Sequence, residues 1–238
     1  MLAVILVGGK GTRLKPFTMT IPKPLLPLGD VPILEVVIRQ LAAAGVTRVV
    51  LTLGHMAHLF TASVGEGRRW GVDIEFCRED EPLGTAAPLR LIRDLNEDFL
   101  VMNGDILTSL DFQELLAHHR TKRAWGTIAV SQRQVKIDYG VVRSTDEGLL
   151  LGYDEKPTIE YGVSMGINVL SRQALQFLPP TGRFDMPDLM KAIAAAGHAV
   201  ACYRTNAYWQ DIGRMDDYAA ASQDFVDNPT RFLPAALL

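Results

Sequence analysis

Three glycines in four positions, Gly8-Gly9-Lys10-Gly11, are followed at once by Thr12 and Arg13, directly after an apolar run. Backbone N–H groups with no Cβ in the way can converge on an anion, and the Thr12 hydroxyl and Arg13 guanidinium add donors. The stretch reads as a phosphate cradle, with a purely structural Gly-rich turn as the other reading. A dinucleotide fingerprint would need a third glycine where Leu14 stands. A Walker loop would need Gly-Lys-Ser/Thr where Gly9-Lys10-Gly11 stands. Further on, Pro22-Lys23-Pro24 holds a cation between two prolines, which predicts extended, low-entropy backbone and a rigidly presented ammonium; without the cradle it would be an ordinary surface loop residue.

Two aspartates stand beside glycine at predicted strand ends, in Asn103-Gly104-Asp105 and in Trp209-Gln210-Asp211-Ile212-Gly213. Two carboxylates and phosphate oxygens are the set a magnesium ion prefers, with water completing its shell. Each aspartate taken singly also reads as a turn residue capping the helix that follows. Glu155-Lys156-Pro157 pairs a carboxylate with a cation after a strand, or is a solvated turn. His55 and His58 lack a third ligand at metal spacing, and they read, like His118-His119 near a helix end, as solvated or capping residues. No Gly-x-Ser-x-Gly or catalytic-cysteine setting occurs, so covalent acyl chemistry is not expected.

These residues need a scaffold, and the first half supplies an alternation of short apolar runs with longer amphipathic ones. Strands are expected at Leu2 to Val7, Arg48 to Leu53, Val72 to Cys77 and Phe99 to Met102, and helices at Ile33 to Ala44, Met56 to Val64 and Thr85 to Leu95. Nearly continuous apolar strands separated by helices imply an α/β fold with a parallel sheet covered on both faces, and ligands bound beyond the carboxyl ends of its strands. The second half is richer in strands: Gly126 to Ser131, Tyr139 to Arg143, Leu149 to Tyr153 and Val163 to Leu170, with a turn at Asp146-Glu147-Gly148. Helices return at Ser171 to Phe177, Met186 to Ala196 and Met215 to Val226. With no repeat or Gly/Ser linker, the chain is expected to form one domain over 1–238.

Composition narrows the function class. The 238 residues are 48% hydrophobic, enough for a core without metal or disulfide. Lys and Arg total 24 against 27 Asp and Glu, a net charge of −3 with no block of five or more like charges, which argues against a nucleic-acid partner. No apolar run approaches the roughly 20 residues of a spanning helix, and the N-terminus lacks the basic flank of a signal peptide, so no membrane partner is expected and the location reads as cytoplasmic. Cys77 and Cys202 lie in apolar runs and read as buried free thiols.

In order along the chain stand Gly8 through Thr18 (Gly-Gly-x-Gly-Thr-Arg-Leu-x-Pro-x-Thr), Pro22-Lys23-Pro24, Leu83-Gly84-Thr85-Ala86, Gly104-Asp105, Tyr139-Gly140-Val141-Val142, Glu155-Lys156-Pro157 and Trp209-x-Asp211-Ile212-Gly213. This ordered set, spanning nearly the whole chain, resembles the sugar-1-phosphate nucleotidylyltransferases. The resemblance implies a GT-A-like fold: a Rossmann-like, mostly parallel central sheet with helices on both faces and a strand-rich sugar-binding portion in the second half. It implies a nucleotide half over 1–110 and a sugar-phosphate half over 111–238, with no room for the β-helix domain that longer relatives append. It implies an NTP and a sugar 1-phosphate as substrates and Mg²⁺ as cofactor. Leu6, Gly8, Gly9, Gly11 and Thr12 would hold the nucleotide, with Gly84 and Thr85 at the base. Arg13 and Lys23 would be catalytic, neutralising pyrophosphate and the α-phosphoryl. Asp105 and Asp211 would bind the metal, Lys156 the sugar phosphate, and Gly140, Glu155 and Asn168 the sugar hydroxyls. A homodimer is the family-based expectation, with Phe232, Leu233, Leu237 and Leu238 as exposed-looking candidates for packing on a partner or back onto their own domain.

The base is read from Glu79. Where thymidylyl and uridylyl members carry glutamine, this chain offers an acceptor-only carboxylate, suited to the adjacent N1–H and N2–H₂ donors of guanine. Glu79-Asp80-Glu81-Pro82-Leu83-Gly84-Thr85-Ala86 also resembles the mannose-1-phosphate guanylyltransferase branch, so GTP and a mannose-like or heptose-like 1-phosphate are favoured. CTP stays open, because the cytosine amino group can also donate to Glu79. UTP, dTTP, a non-sugar phosphate acceptor, or a non-catalytic nucleotide-sugar sensor are the alternatives. Ala87 departs from the usual glycine and would narrow the nucleoside pocket by a methyl group.

Overall fold

The computed structural model describes residues 1–9, 11–95 and 97–233; Lys10, Leu237 and Leu238 lie outside them. Strand β1 (Leu2–Leu6) leads through the glycine loop and three 3-10 turns, Thr12–Leu14, Phe17–Met19 and Lys23–Leu25, to a small hairpin of β2 (Pro27–Leu28) and β3 (Val31–Pro32). Then come α1 (Ile33–Ala43), β4 (Arg48–Leu53), α2 (Ala57–Val64), β5 (Asp73–Arg78), β6 (Asp98–Asn103), β7 (Ile106–Thr108) and α3 (Phe112–Lys122). The second half adds β8 (Gly126–Lys136), β9 (Val141–Ser144), β10 (Leu150–Asp154), β11 (Thr158–Ser171), α4 (Met186–Ala195), β12 (Val200–Thr205), β13 (Trp209–Asp211), α5 (Met215–Asp227) and α6 (Pro229–Phe232).

Seven strands form one sheet in the order β12-β8-β11-β6-β1-β4-β5. All its pairs are parallel except the two made by β11, which runs antiparallel to β6 and β8. The expected doubly covered, mostly parallel sheet is therefore present. Strand alternation divides its apolar side chains between two faces. Ala3, Ile5, Val49, Leu51, Leu100 and Met102 pack with Leu34, Val37 and Leu41 of α1, Phe60 of α2 and Leu115 of α3. Leu2, Val4, Val50, Phe99 and Val101 pack with Leu189, Met190 and Ile193 of α4 on the other face. All of these are buried, and full burial of each large aliphatic chain is worth about 1.5–3 kcal/mol.

Several local expectations are corrected. The helix expected from Thr85 to Leu95 is only a 3-10 turn, Ala87–Leu91. The turn is not continued because the backbone turns extended at Ile92, φ −89 and ψ 124, and Asp94 takes φ +54. Ser171 to Phe177 is likewise a 3-10 turn, Arg172–Phe177. Cys202 is exposed on edge strand β12 and Cys77 half-buried, so the thiols are free but not both interior. His119 is a core residue: its Nδ1 lies 2.7 Å from Thr127 Oγ1 and its Nε2 3.1 Å from Ser171 Oγ, and burial pushes its pKa down despite Asp98 nearby. His55 and His58 are exposed, as expected. Phe232 and Leu233 are not exposed; they close a third apolar cluster with Leu14, Leu28, Leu107, Ile212 and Phe225 of their own domain.

Candidate active site

The site forms where β1 and β6 end side by side. Leu6 pairs with Asn103, and the Gly104 N–H donates to the Leu6 carbonyl at 3.0 Å. A Cβ on Gly104 would stand 2.4 Å from Val7 Cγ1, so only glycine lets the two strand ends approach this closely. Three cavities of about 220, 290 and 400 Å³ meet here, and Leu6 lines all three.

Asp105 follows Gly104 and opens the step into β7. That strand pairs antiparallel with β13, setting Asp211 opposite Ile106, while the Ile212 N–H donates to the Asp105 carbonyl. Two carboxylates far apart in sequence thus become neighbours. Lys23 Nζ lies between them, 2.6 Å from Asp105 Oδ2 and 3.8 Å from Asp211 Oδ1. Lys23 is buried and opens the 3-10 turn Lys23–Leu25, correcting the expectation of extended backbone, although Pro22 before it is extended. Burial pushes the Asp211 carboxyl above its usual value; Lys23 and, less strongly, Arg13 pull it down, while Asp105 and Asp217 push it up.

The smallest cavity is walled by Gly9, Gly11, Thr12, Arg13, Lys23, Asp105 and Gly213. Gly11 adopts φ +59 and is crowded by Thr18, whose hydroxyl donates to its carbonyl at 2.8 Å. Gly9 differs: a Cβ there meets nothing within 4 Å, so its face is open space. A small concave pocket with a glycine floor and two cations is suited to a polyphosphate.

The middle cavity holds Gly8, Gly9, Glu79, Pro82, Gly84, Thr85, Asn103, Arg183 and Asp185. Glu79 follows β5 and is half-buried, its Oε2 accepting from the Leu83 N–H at 3.1 Å. Burial pushes its carboxyl up, and the Leu83 N–H draws it part of the way back. Gly84, at φ +88, lies against Asp185; a Cβ would come within 2.6 Å of Asp185 Oδ1. That oxygen accepts the Thr85 N–H at 3.0 Å, and the Thr85 hydroxyl accepts the Met186 N–H at 2.7 Å. Ala87 is fully buried in this region but lines none of the three cavities.

The largest cavity runs from Thr85 and Asn103 to Ile128, Met165, Asn168, Met186, Trp209 and Asp211. Asn168, buried on β11, reaches it beside a β-bulge between Ser164 and Asn168. Gly140, Glu155 and Lys156 do not line these cavities. They stand on an arm where β8 and β11 run on beyond the core beside the β9–β10 hairpin, with Glu155 and Lys156 exposed, Lys156 at φ +46, and Gly140 packed under the Tyr153 hydroxyl. Arg183 and Asp185 are wall residues that sequence reasoning missed, and Asn103 was read only as the start of Asn103-Gly104-Asp105; the signal for Asp185 was an acidic residue just before a predicted helix.

Among the described residues, no three His, Cys, Asp or Glu side chains converge as a metal cluster. The Asp105 and Asp211 oxygens both face the Lys23 ammonium, so a metal held by this pair would sit beside that lysine. A metal there needs substrate phosphates and water to complete its shell.

Comparison with known proteins places the chain in a family. Residues 2–228 match the nucleotidyl transferase family. The chain is 32% identical to a mannose-1-phosphate guanyltransferase of Schizosaccharomyces pombe, covering all of this chain and 68% of that protein. It is also 32% identical to a mannose-1-phosphate guanylyltransferase of Mycobacterium tuberculosis, over 94% of this chain and 64% of the other. A UTP–glucose-1-phosphate uridylyltransferase of Synechocystis is 31% identical over 92% of this chain and 61% of its own length, so the chain spans about two thirds of such relatives. Among solved structures, HddC from Yersinia pseudotuberculosis superposes with a TM-score of 0.72 at 26% identity, over 94% of this chain and 99% of that one. A putative glucose-1-phosphate thymidylyltransferase from Bacillus anthracis shares the fold at a TM-score of 0.75 and 22% identity, over 94% of both chains. By the match over residues 2–228, the chain belongs to the nucleotidyl transferase family.

Proposed function

We propose that this chain transfers a nucleoside monophosphate from an NTP, GTP in preference, to a mannose-like or heptose-like sugar 1-phosphate, releasing pyrophosphate. The observation that carries the reading is the position of Lys23, Asp105 and Asp211 where a glycine-floored polyphosphate cavity meets the cavity lined by Asn168. The base preference rests on Glu79, an acceptor-only wall of the middle cavity, and accords with the guanylyltransferase relatives.

In this reading a phosphate oxygen of the sugar phosphate forms a bond to the α-phosphorus while the bond to the bridging oxygen of pyrophosphate breaks. The attacking oxygen is already an anion, so the chain needs neither a nucleophile nor a general base; its task is positioning and charge neutralisation. The glycine amides and Thr12 hold the β- and γ-phosphates, Arg13 takes up charge on the departing pyrophosphate, and Lys23 faces the α-phosphoryl. The donor chemistry of Asp105 and Asp211 fits magnesium, which when bound would neutralise charge on the transferring phosphoryl group. Asn168 would meet the sugar from the core. Gly140, Glu155 and Lys156 would meet it from the arm, with Lys156 supplying the cation for its phosphate.

A pyrophosphate-release assay over the four common NTPs and several sugar 1-phosphates tests this. Turnover with GTP and mannose 1-phosphate above the other pairs is expected. Silence across the panel would sink the proposal and favour a nucleotide-sugar sensor.

A further inference from the structure

Arg183 has no part in the glycine loop, the acid pair or the sugar arm, yet it lines the same cavity as Glu79. Its guanidinium is fixed there: Nε and Nη2 donate to Asp185 Oδ2 at 3.2 and 3.1 Å, while Asp185 Oδ1 holds the Thr85 N–H. One carboxylate therefore clamps both the base loop and the arginine. An arginine carries five N–H donors, and two of them make this pair; the Nη1 donors and the second Nη2 hydrogen have no partner among the described residues. The side chain lines this cavity and is 69% exposed, so these donors are accessible to a ligand there.

We propose that Arg183 is a specificity-determining residue that reads the O6/N7 edge of guanine while Glu79 reads its N1–H/N2–H₂ edge. This rests on the guanine reading above and extends it to a second wall. Guanine presents two adjacent acceptors on one edge and two donors on the next, and the cavity presents a guanidinium and a carboxylate. Adenine offers an amino donor where guanine has O6, which faces a guanidinium unfavourably. A pyrimidine has no N7. Glu79 already disfavours adenine, which carries neither N1–H nor an N2 amino group; a second charge of opposite sign adds the O6/N7 reading and fixes the ring's orientation.

The experiment compares GTP, 7-deaza-GTP and ITP, with UTP and dTTP as controls, as substrates and as equilibrium ligands of the wild-type protein, Arg183→Ala and Glu79→Gln. Loss of N7 should weaken binding to the wild-type protein about tenfold, the size of one charge-assisted hydrogen bond. In Arg183→Ala the GTP to 7-deaza-GTP ratio should fall to near one while the GTP to ITP ratio persists; Glu79→Gln should do the reverse. An unchanged 7-deaza ratio in Arg183→Ala, or an equal loss on all three nucleotides, overturns the proposal, the latter marking a role through the Asp185 clamp alone. Wild-type preference for UTP or dTTP, with GTP and ITP bound equally, would instead overturn the guanine reading itself.

Discussion

The Lys23 ammonium sits 2.6 Å from Asp105 Oδ2, with the lysine side chain 8% exposed and the aspartate 27%. The contact joins the signature loop to the end of β6 across 82 residues of sequence, and Asp211 completes it at 3.8 Å from the same nitrogen. Asp105→Asn removes the nearer counter-charge of a buried lysine and should cost stability, about 2 kcal/mol. Asp211→Asn, at the longer distance and more exposed, should cost less. Both should lower turnover by several orders of magnitude. Urea melts read beside single-turnover rates check this; equal stability losses would contradict the assigned geometry, and full activity in both variants would remove the metal assignment.

Gly9 and Gly104 separate binding from architecture. Gly9→Ala places a methyl in open space and should leave the melting temperature unchanged while raising the KM for nucleotide at least tenfold, because the new carbon occupies the polyphosphate cavity. Gly104→Ala drives a Cβ into Val7 and Ile5 and should destabilise the fold by about 1–3 kcal/mol. Thermal denaturation paired with nucleotide titration distinguishes them.

Under the proposed guanine reading, Glu79 would make base recognition pH-dependent. Burial holds its carboxyl above the ordinary 4.5, so the accepting carboxylate is lost at a higher pH than for a free glutamate. The KM for GTP should therefore begin to rise on acidification while pH is still above 4.5, and Glu79→Gln should show a flat profile with UTP gaining at least tenfold relative to GTP. A parallel pH profile in wild type and variant would contradict this.

His119 gives the fold an acid limb. Its pKa in the folded chain lies below the ordinary 6.5, so the unfolded chain takes up a proton first as pH falls. The stability it contributes is full above 6.5 and declines as pH drops from there toward the folded value. Denaturant midpoints measured down that range should fall in the wild-type protein and fall less steeply in His119→Gln, whose amide can still meet Thr127 and Ser171.

Much of this was readable from local pattern. The alternation of buried runs such as Leu2 to Leu6 with amphipathic ones such as Ile33 to Ala43 is set by neighbours in sequence, and it specifies a covered, mostly parallel sheet. Glycine spacing marked the loop for the same reason. What pattern did not carry was the pairing of β7 with β13, which makes Asp105 and Asp211 neighbours through contacts between distant segments. The Asp185 clamp is equally non-local, spanning 100 residues to Thr85. Polarity misled at His119 and apolarity at Cys202, because burial is decided by what packs against a strand or helix and not by the residue's own character.

Only Gly104 and Asp105 separate β6, in the middle of the seven-stranded sheet, from β7 in the two-stranded one. Asp105 is therefore a fulcrum between two hydrogen-bonded ladders, and neither can tilt without dragging the other. The acid pair is the anvil of this molecule. Under the proposed function an incoming acceptor would meet this fixed acid pair on one side and the exposed Glu155 and Lys156 of the arm on the other.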